Sequence, residues 1–254
     1  MRDFIRETVR AAFRGRSFRR ALPASVGGAQ LFVAPDSQLK YLKPGTAGFD
    51  RQLIDWAVEF VSPGQVVWDI GANVGVFTFS AAGCGAKVVA MEPDPFLSNL
   101  LLRAQGLTAN SALSVSIVQA AASERRSLAR LQIAAGGRAA NSLAQFAGSR
   151  STFVHSVGEV IVPTIMLDDL LEIQGPPQFI KIDVEGAEVQ ALTGAERVMA
   201  EYRPIIVVET GDDTRDAVTE LLRRHNYAMH NIELAGRPLV DRATFNTLAV
   251  PQAT

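Results

Sequence analysis

An α/β protein with a doubly wound, mostly parallel sheet is predicted by three features of the sequence. Short apolar runs alternate with helix-patterned stretches, a glycine-bearing turn follows the first run, and three of the runs end in acids. Gln65–Ile70 is the first strand and Val74–Ala82 the helix behind its glycines. Lys87–Met91, Pro95–Gly106 and Ser114–Val118 continue as strand, helix and strand. After an interruption the order resumes with strand Phe179–Asp183, helix Val189–Ala200, strand Pro204–Glu209 and helix Thr214–Arg224. The last strands fall near Tyr227–Ile232 and Phe245–Val250, with the turn Ala235–Pro238 between them. Pro238 would continue a central strand poorly, so an antiparallel terminal hairpin is expected.

Composition narrows the function. Of 254 residues 48% are hydrophobic and 20% charged, ample for a buried core and too apolar for a disordered chain. Twenty-five basic against 26 acidic residues leave a net charge of -1, which argues against a nucleic-acid partner. The single cysteine, Cys84, excludes an internal disulfide framework and a Cys-rich zinc site. No apolar run reaches the ~18 residues of a membrane span, so a cytoplasmic protein is expected.

Three regions precede or interrupt the alternation. Residues 1–20 form an Arg-rich arm in which Ile5, Val9 and Phe13 share one helical face. Such an arm suits a docked surface helix or peripheral contact with an anionic membrane. Residues 21–64 are a loop-rich extension, with short extended pieces at Gln30–Val33 and Gln38–Tyr41 and an amphipathic helix over Phe49–Val61. The main domain spans residues 65–254. Within it, residues 127–165 read as an insertion of alternating, partly exposed strands, suited to a role in acceptor binding.

Asp69-Ile70-Gly71-Ala72-Asn73-Val74-Gly75 closes a strand and opens a helix, with glycines spaced G-x-x-x-G rather than G-x-G-x-x-G. Gly71 permits a tight turn with a ligand against the backbone, and Gly75 lets the next helix approach the strand. Glu92 ends the second strand about twenty residues past the first glycine, where a carboxylate can accept hydrogen bonds from both ribose hydroxyls of a nucleoside. The most informative stretch is Phe179-Ile180-Lys181-Ile182-Asp183-Val184-Glu185-Gly186-Ala187-Glu188. Its carboxylates gather where the strand exits, the place at which open α/β sheets bind ligands. Glu209 ends the next strand and should lie beside Asp183. The histidines (His155, His225 and His230) show no metal spacing, and Trp56 and Trp68 read as packing residues.

Asp69–Gly75, Glu92-Pro93, Thr164–Asp169, Lys181–Glu188, Leu192-Thr193-Gly194-Ala195 and Glu209 together resemble the FkbM family of S-adenosylmethionine-dependent class I methyltransferases, over roughly residues 50–210. The resemblance implies a Rossmann-like sheet of seven strands with a reversed terminal hairpin, S-adenosyl-L-methionine as cofactor, and O-methylation of a sugar, polyketide or other small natural product. Cofactor contacts are then expected at Asp69, Gly71, Asn73, Gly75, Glu92 and Asp183. Catalysis is expected at Asp183, Glu209 and Glu185, with the acceptor hydroxyl losing its proton over the Asp183–Glu209 pair. That pair could also take a divalent cation, but no His or Asn accompanies it in sequence, so no metal is assigned. Two readings compete. A nicotinamide-dependent oxidoreductase is opposed by the G-x-x-x-G spacing and the terminal hairpin. A non-catalytic nucleoside-binding scaffold would leave the acidic cluster without a purpose.

Overall fold

The computed structural model describes residues 15–134, 137–144 and 156–253, together with Val9 and Ala12. Most of the Arg-rich arm and His155 lie outside the described residues. Within the arm Val9 and Ala12 are helical, as expected, whereas Phe18–Ala21 (β1) is a strand. It pairs antiparallel with Gln30–Val33 (β2), because its alternating burial suits a strand. The expected extended piece at Gln38–Tyr41 is instead a 3-10 turn over Leu39–Leu42. Helix α1 covers Arg51–Phe60 and buries Ile54, Trp56 and Ala57.

Strand β3 (Val66–Ile70), helix α2 (Val76–Gly83), strand β4 (Lys87–Met91), helix α3 (Pro95–Gln105) and strand β5 (Ser114–Val118) follow as the alternation requires. Pro95 sits in the first turn of α3, and the Asp94 side chain accepts the amide of Phe96, capping that helix. The insertion supplies β6 (Ala121–Ala122), β7 (Ser127–Ala134), β8 (Ser142–Leu143) and β9 (Ser156–Ile165), a separate four-stranded sheet in the order β6-β9-β7-β8.

After a short helix, α4 (Leu171–Gln174), come β10 (Phe179–Ile182), α5 (Glu188–Thr193), β11 (Ile205–Glu209), α6 (Arg215–Arg224), β12 (Tyr227–Asn231), β13 (Leu239–Val240) and β14 (Asn246–Pro251). The expected helix Val189–Ala200 is interrupted. At Gly194 the backbone runs so close to the carbonyl of Ser123 that an added Cβ would stand 2.2 Å from its oxygen, and the chain resumes as a π turn over Val198–Tyr202.

The main sheet runs β13-β12-β14-β11-β10-β3-β4-β5. The strands from β11 to β5 are parallel, whereas β14 is antiparallel to both β11 and β12. Seven strands match the expectation; β13 adds a two-residue eighth at the edge. Neighbouring residues in each parallel strand face opposite cores. Val67, Val88, Phe179 and Val207 pack with α1–α3, while Trp68, Val89, Ile180 and Val208 pack with α5 and α6. This double burial aligns the C-terminal ends of β3, β4, β10 and β11, and the site is built there. Among the described residues no helix is long and apolar enough to cross a membrane.

Candidate active site

The turn after β3 is held by its backbone. Gly71 and Asn73 have positive φ, and the amides of Gly71 and Ala72 donate to the carbonyl of Met91 at the end of β4. A Cβ at Gly71 would stand 1.8 Å from the carbonyl oxygen of Asp183, so glycine is what lets the two strand ends touch. Asn73 tolerates its left-handed conformation and is fixed from two sides. Its amide donates to Glu92 Oε2 (2.8 Å), and Ser37 Oγ donates to its Oδ1 (2.7 Å).

Two residues expected at the cofactor, Asp69 and Gly75, line neither of the two cavities at this edge. Asp69 is fully buried; it accepts hydrogen bonds from Thr78 Oγ1 and Lys181 Nζ and lines no described cavity. Gly75 packs under α3, where a Cβ would collide with Leu101 and Phe79; its role is the helix–strand approach.

Gly71, Asn73, Glu92 and Asp183 line a first cavity over the ends of β3, β4 and β10. Its walls are apolar (Met91, Leu97, Ala120–Ala122), and Leu131 and Leu143 close it from the insertion. The insertion is fastened by Asp94, whose Oδ2 accepts Arg138 Nη1 (2.6 Å) and Asn141 Nδ2 (2.7 Å). The one buried carboxylate on its wall is Glu92, which also takes the amide of Asp94 on Oε1 (2.9 Å). Burial pushes that carboxyl up to about 7, against the pull of the Asp94 and Asn73 amides. An apolar slot with one buried acceptor group fits a purine and the diol of its ribose.

A second cavity of about 340 Å³ adjoins the first, sharing Gly71, Asn73, Asp183 and Glu185 with it. Asp183 follows β10 directly, and its amide bonds to the carbonyl of Ile70 (3.0 Å). The β10–β11 register pairs Ile182 with Val208, which sets Asp183 beside Glu209. With Glu185, held at φ 47°, these residues bring three carboxylate oxygens within 4.8 Å of one another. The expected convergence is therefore present in the geometry, although Asp183 lies on both cavities and belongs to neither alone. Such a cluster can accept a proton or share a divalent cation. The expectation that no Asn accompanies it fails: Asn246 of β14 pairs in register with Glu209 and lines the same cavity, a neighbour that sequence distance conceals.

Behind the cluster lies Lys181, whose Nζ bridges Asp69 Oδ1 (3.1 Å) and Asp183 Oδ2 (3.5 Å) and donates to the carbonyl of Gly71 (3.2 Å). Burial alone would lower this ammonium, but the two carboxylates outweigh it and hold Lys181 above the usual lysine range. It fastens the glycine turn to the acidic edge.

The rest of the second cavity was not legible in sequence. Gln38, Lys40, Tyr41, Asp50 and Trp56 reach it from the extension, and Glu233 and Phe245 from the connections between the terminal strands. Of the insertion only Ala139 touches it, so the described insertion covers the first cavity rather than the second. The two described histidines stay outside: His230 Nδ1 meets the carbonyl of Arg237, and His225 ends α6.

Comparison with known proteins fits this architecture. The hexuronic acid methyltransferase AglP of Haloferax volcanii is 27% identical over 178 residues, which cover 68% of this chain and 67% of that protein. Among solved structures, a methyltransferase FkbM from Methylobacillus flagellatus KT aligns at TM-score 0.47 and 19% identity. The match covers 78% of this chain, which spans half the length of that one. The magnesium protoporphyrin IX methyltransferase of Synechocystis PCC 6803, crystallised with bound SAM, aligns at TM-score 0.45 and 10% identity over 80% of this chain and 77% of that one. A family model described as the methyltransferase FkbM domain matches residues 69–229, well over half of the chain. The chain thus belongs to the FkbM family of S-adenosylmethionine-dependent methyltransferases.

Proposed function

We propose that the protein O-methylates a hydroxyl group of a sugar or similar polyhydroxylated small molecule. The observation that carries this reading is the position of Asp183, on the wall between the two cavities and beside Glu209. The first cavity is the cofactor cavity, with Glu92 holding the ribose hydroxyls and Gly71 and Asn73 presenting backbone to the cofactor. Bound there, S-adenosylmethionine supplies an electrophilic methyl carbon on a sulfonium. The second is the acceptor cavity, and its polar lining with Trp56 and Phe245 suits a hydroxylated ring.

An alcohol is a weak nucleophile, so its proton must leave as the new C–O bond forms and the C–S electron pair stays on sulfur. The carboxylate of Asp183 receives that proton, with Glu209 and Glu185 adding negative charge that favours its transfer. Lys181 keeps Asp183 turned toward the boundary between the cavities. Relatedness to a hexuronic acid methyltransferase supports a sugar as acceptor. The test is release of S-adenosylhomocysteine with a panel of glycosides and hydroxylated polyketides, followed by location of the methyl group by NMR. A methyl on oxygen is expected. Transfer to carbon or nitrogen, or no turnover with any hydroxylated acceptor, contradicts the proposal.

A further inference from the structure

We propose that the acceptor is a hydroxylated ring bearing an ammonium group, such as an amino sugar or aminocyclitol, and not a uronate; this rests on the methyltransferase reading of the second cavity. Among the described residues that line it are five carboxylates (Asp50, Asp183, Glu185, Glu209 and Glu233) against two ammonium groups, Lys40 and Lys181, a net of three negative charges. Neither lysine faces a ligand alone. Lys40 is paired with Asp50 at 3.2 Å, and Lys181 is held between Asp69 and Asp183. The cofactor, with its sulfonium, ammonium and carboxylate, offsets one of the three charges. A uronate would restore it, whereas an ammonium group would leave a single one.

An independent feature points to a ligand in this cavity. Tyr41 is 4% exposed and lines it, and its ring packs on Phe49 with Lys40 at 6.0 Å. Its hydroxyl lines the cavity as a group that a ligand there can meet. Burial, with the charges of Asp50 and Asp183, holds the phenol above its usual range, so it stays protonated and can donate to an acceptor hydroxyl. Beside it the Oε1 of Gln38, also lining the cavity, is buried and accepts no bond. Carboxylates therefore outnumber ammonium groups around the ligand, and a cation is the complement. Relatedness to a hexuronic acid methyltransferase extends on this account to the ring but not to its carboxylate.

The test compares the methyl glycosides of glucosamine, glucose and glucuronic acid by ligand-detected NMR, on enzyme saturated with S-adenosylhomocysteine. Glucosamine is expected to bind about tenfold more tightly than glucose, and glucuronic acid most weakly, as one charge interaction at partly screened range allows. Glu233→Lys, at the exposed rim of the cavity, is expected to narrow or reverse that order. Glucuronic acid equal to or ahead of glucosamine, or no binding by any of the three, overturns the proposal. Failure of S-adenosylhomocysteine to bind in the preliminary titration would instead sink the methyltransferase reading itself.

Discussion

The two cavities share a wall but are built from different kinds of sequence. The proposed cofactor cavity rests on strand ends and the turns directly after them: Gly71, Asn73, Glu92 and Asp183 each fall within three residues of a strand of the main sheet. The proposed acceptor cavity borrows from regions far apart in the chain, residues 38–56 on one side and 233–246 on the other. The first holds one buried carboxylate beside apolar walls, the second is a mostly acidic chamber. The difference teaches that a sheet edge can fix one ligand rigidly while extensions to the same edge set what the other may be.

The largest effect should come from the shared wall. Asp183→Asn keeps the shape and removes the proposed proton acceptor, so kcat should fall by ~10²–10⁴ with cofactor affinity within a few-fold. Steady-state kinetics beside cofactor titration checks this. Equal losses in both would make Asp183 a cofactor residue only.

Lys181→Met tests whether the cavities are held together from behind. It leaves the buried carboxylate of Asp69 without its ammonium partner, and loss of one member of a buried pair costs about 3–5 kcal/mol. Thermal unfolding should show a large fall in Tm, and the double variant Asp69→Asn, Lys181→Met should regain part of it. No change in Tm would mean that the bridge contributes nothing to the fold.

A pH series separates the two regions. In the free folded protein the Glu92 carboxyl is raised from 4.5 to about 7, so between these values the folded state binds the extra proton. Its contribution to the stability of the free protein is thus fully present below about 4.5 and lost as pH rises through 7. Cofactor binding needs the ionised carboxylate and should change in the opposite direction, weakening by up to about tenfold per pH unit below 7. Calorimetric titration between pH 5 and 8 checks the slope, and a flat profile would detach Glu92 from the cofactor. The smallest effect belongs to the insertion. Arg138→Ala removes one charge-assisted bond to Asp94 and should weaken cofactor binding by about 1 kcal/mol, with acceptor KM little changed.

What was legible in the sequence follows the same division. Apolar strands ending in Glu92, Asp183 and Glu209 declare themselves, because a parallel sheet buries both strand faces and puts the first charge at the exit. The pairing of Asp183 with Glu209 needed only adjacent strands in register. Tyr41 lies in a segment without periodicity, where a 3-10 turn resembles a short strand, and nothing local announces that it reaches the sheet edge. Asn246 is near Glu209 only because β14 inserts between β11 and β12. That Asp69 and Gly75 line neither cavity is hidden for a related reason. A motif identifies residues needed near a ligand, but not which ones touch it and which hold those that do.

Titration of S-adenosylhomocysteine into the wild type, Glu92→Ala and Asp183→Asn tests most directly the claim that the cofactor sits over β3 and β4 and meets the acceptor at Asp183. Glu92→Ala should lose about 1–3 kcal/mol of binding, as expected for a charge-assisted hydrogen-bond pair, while Asp183→Asn stays within a few-fold of the wild type. Wild-type affinity in a folded Glu92→Ala variant, or a wild type that does not bind at all, would contradict it.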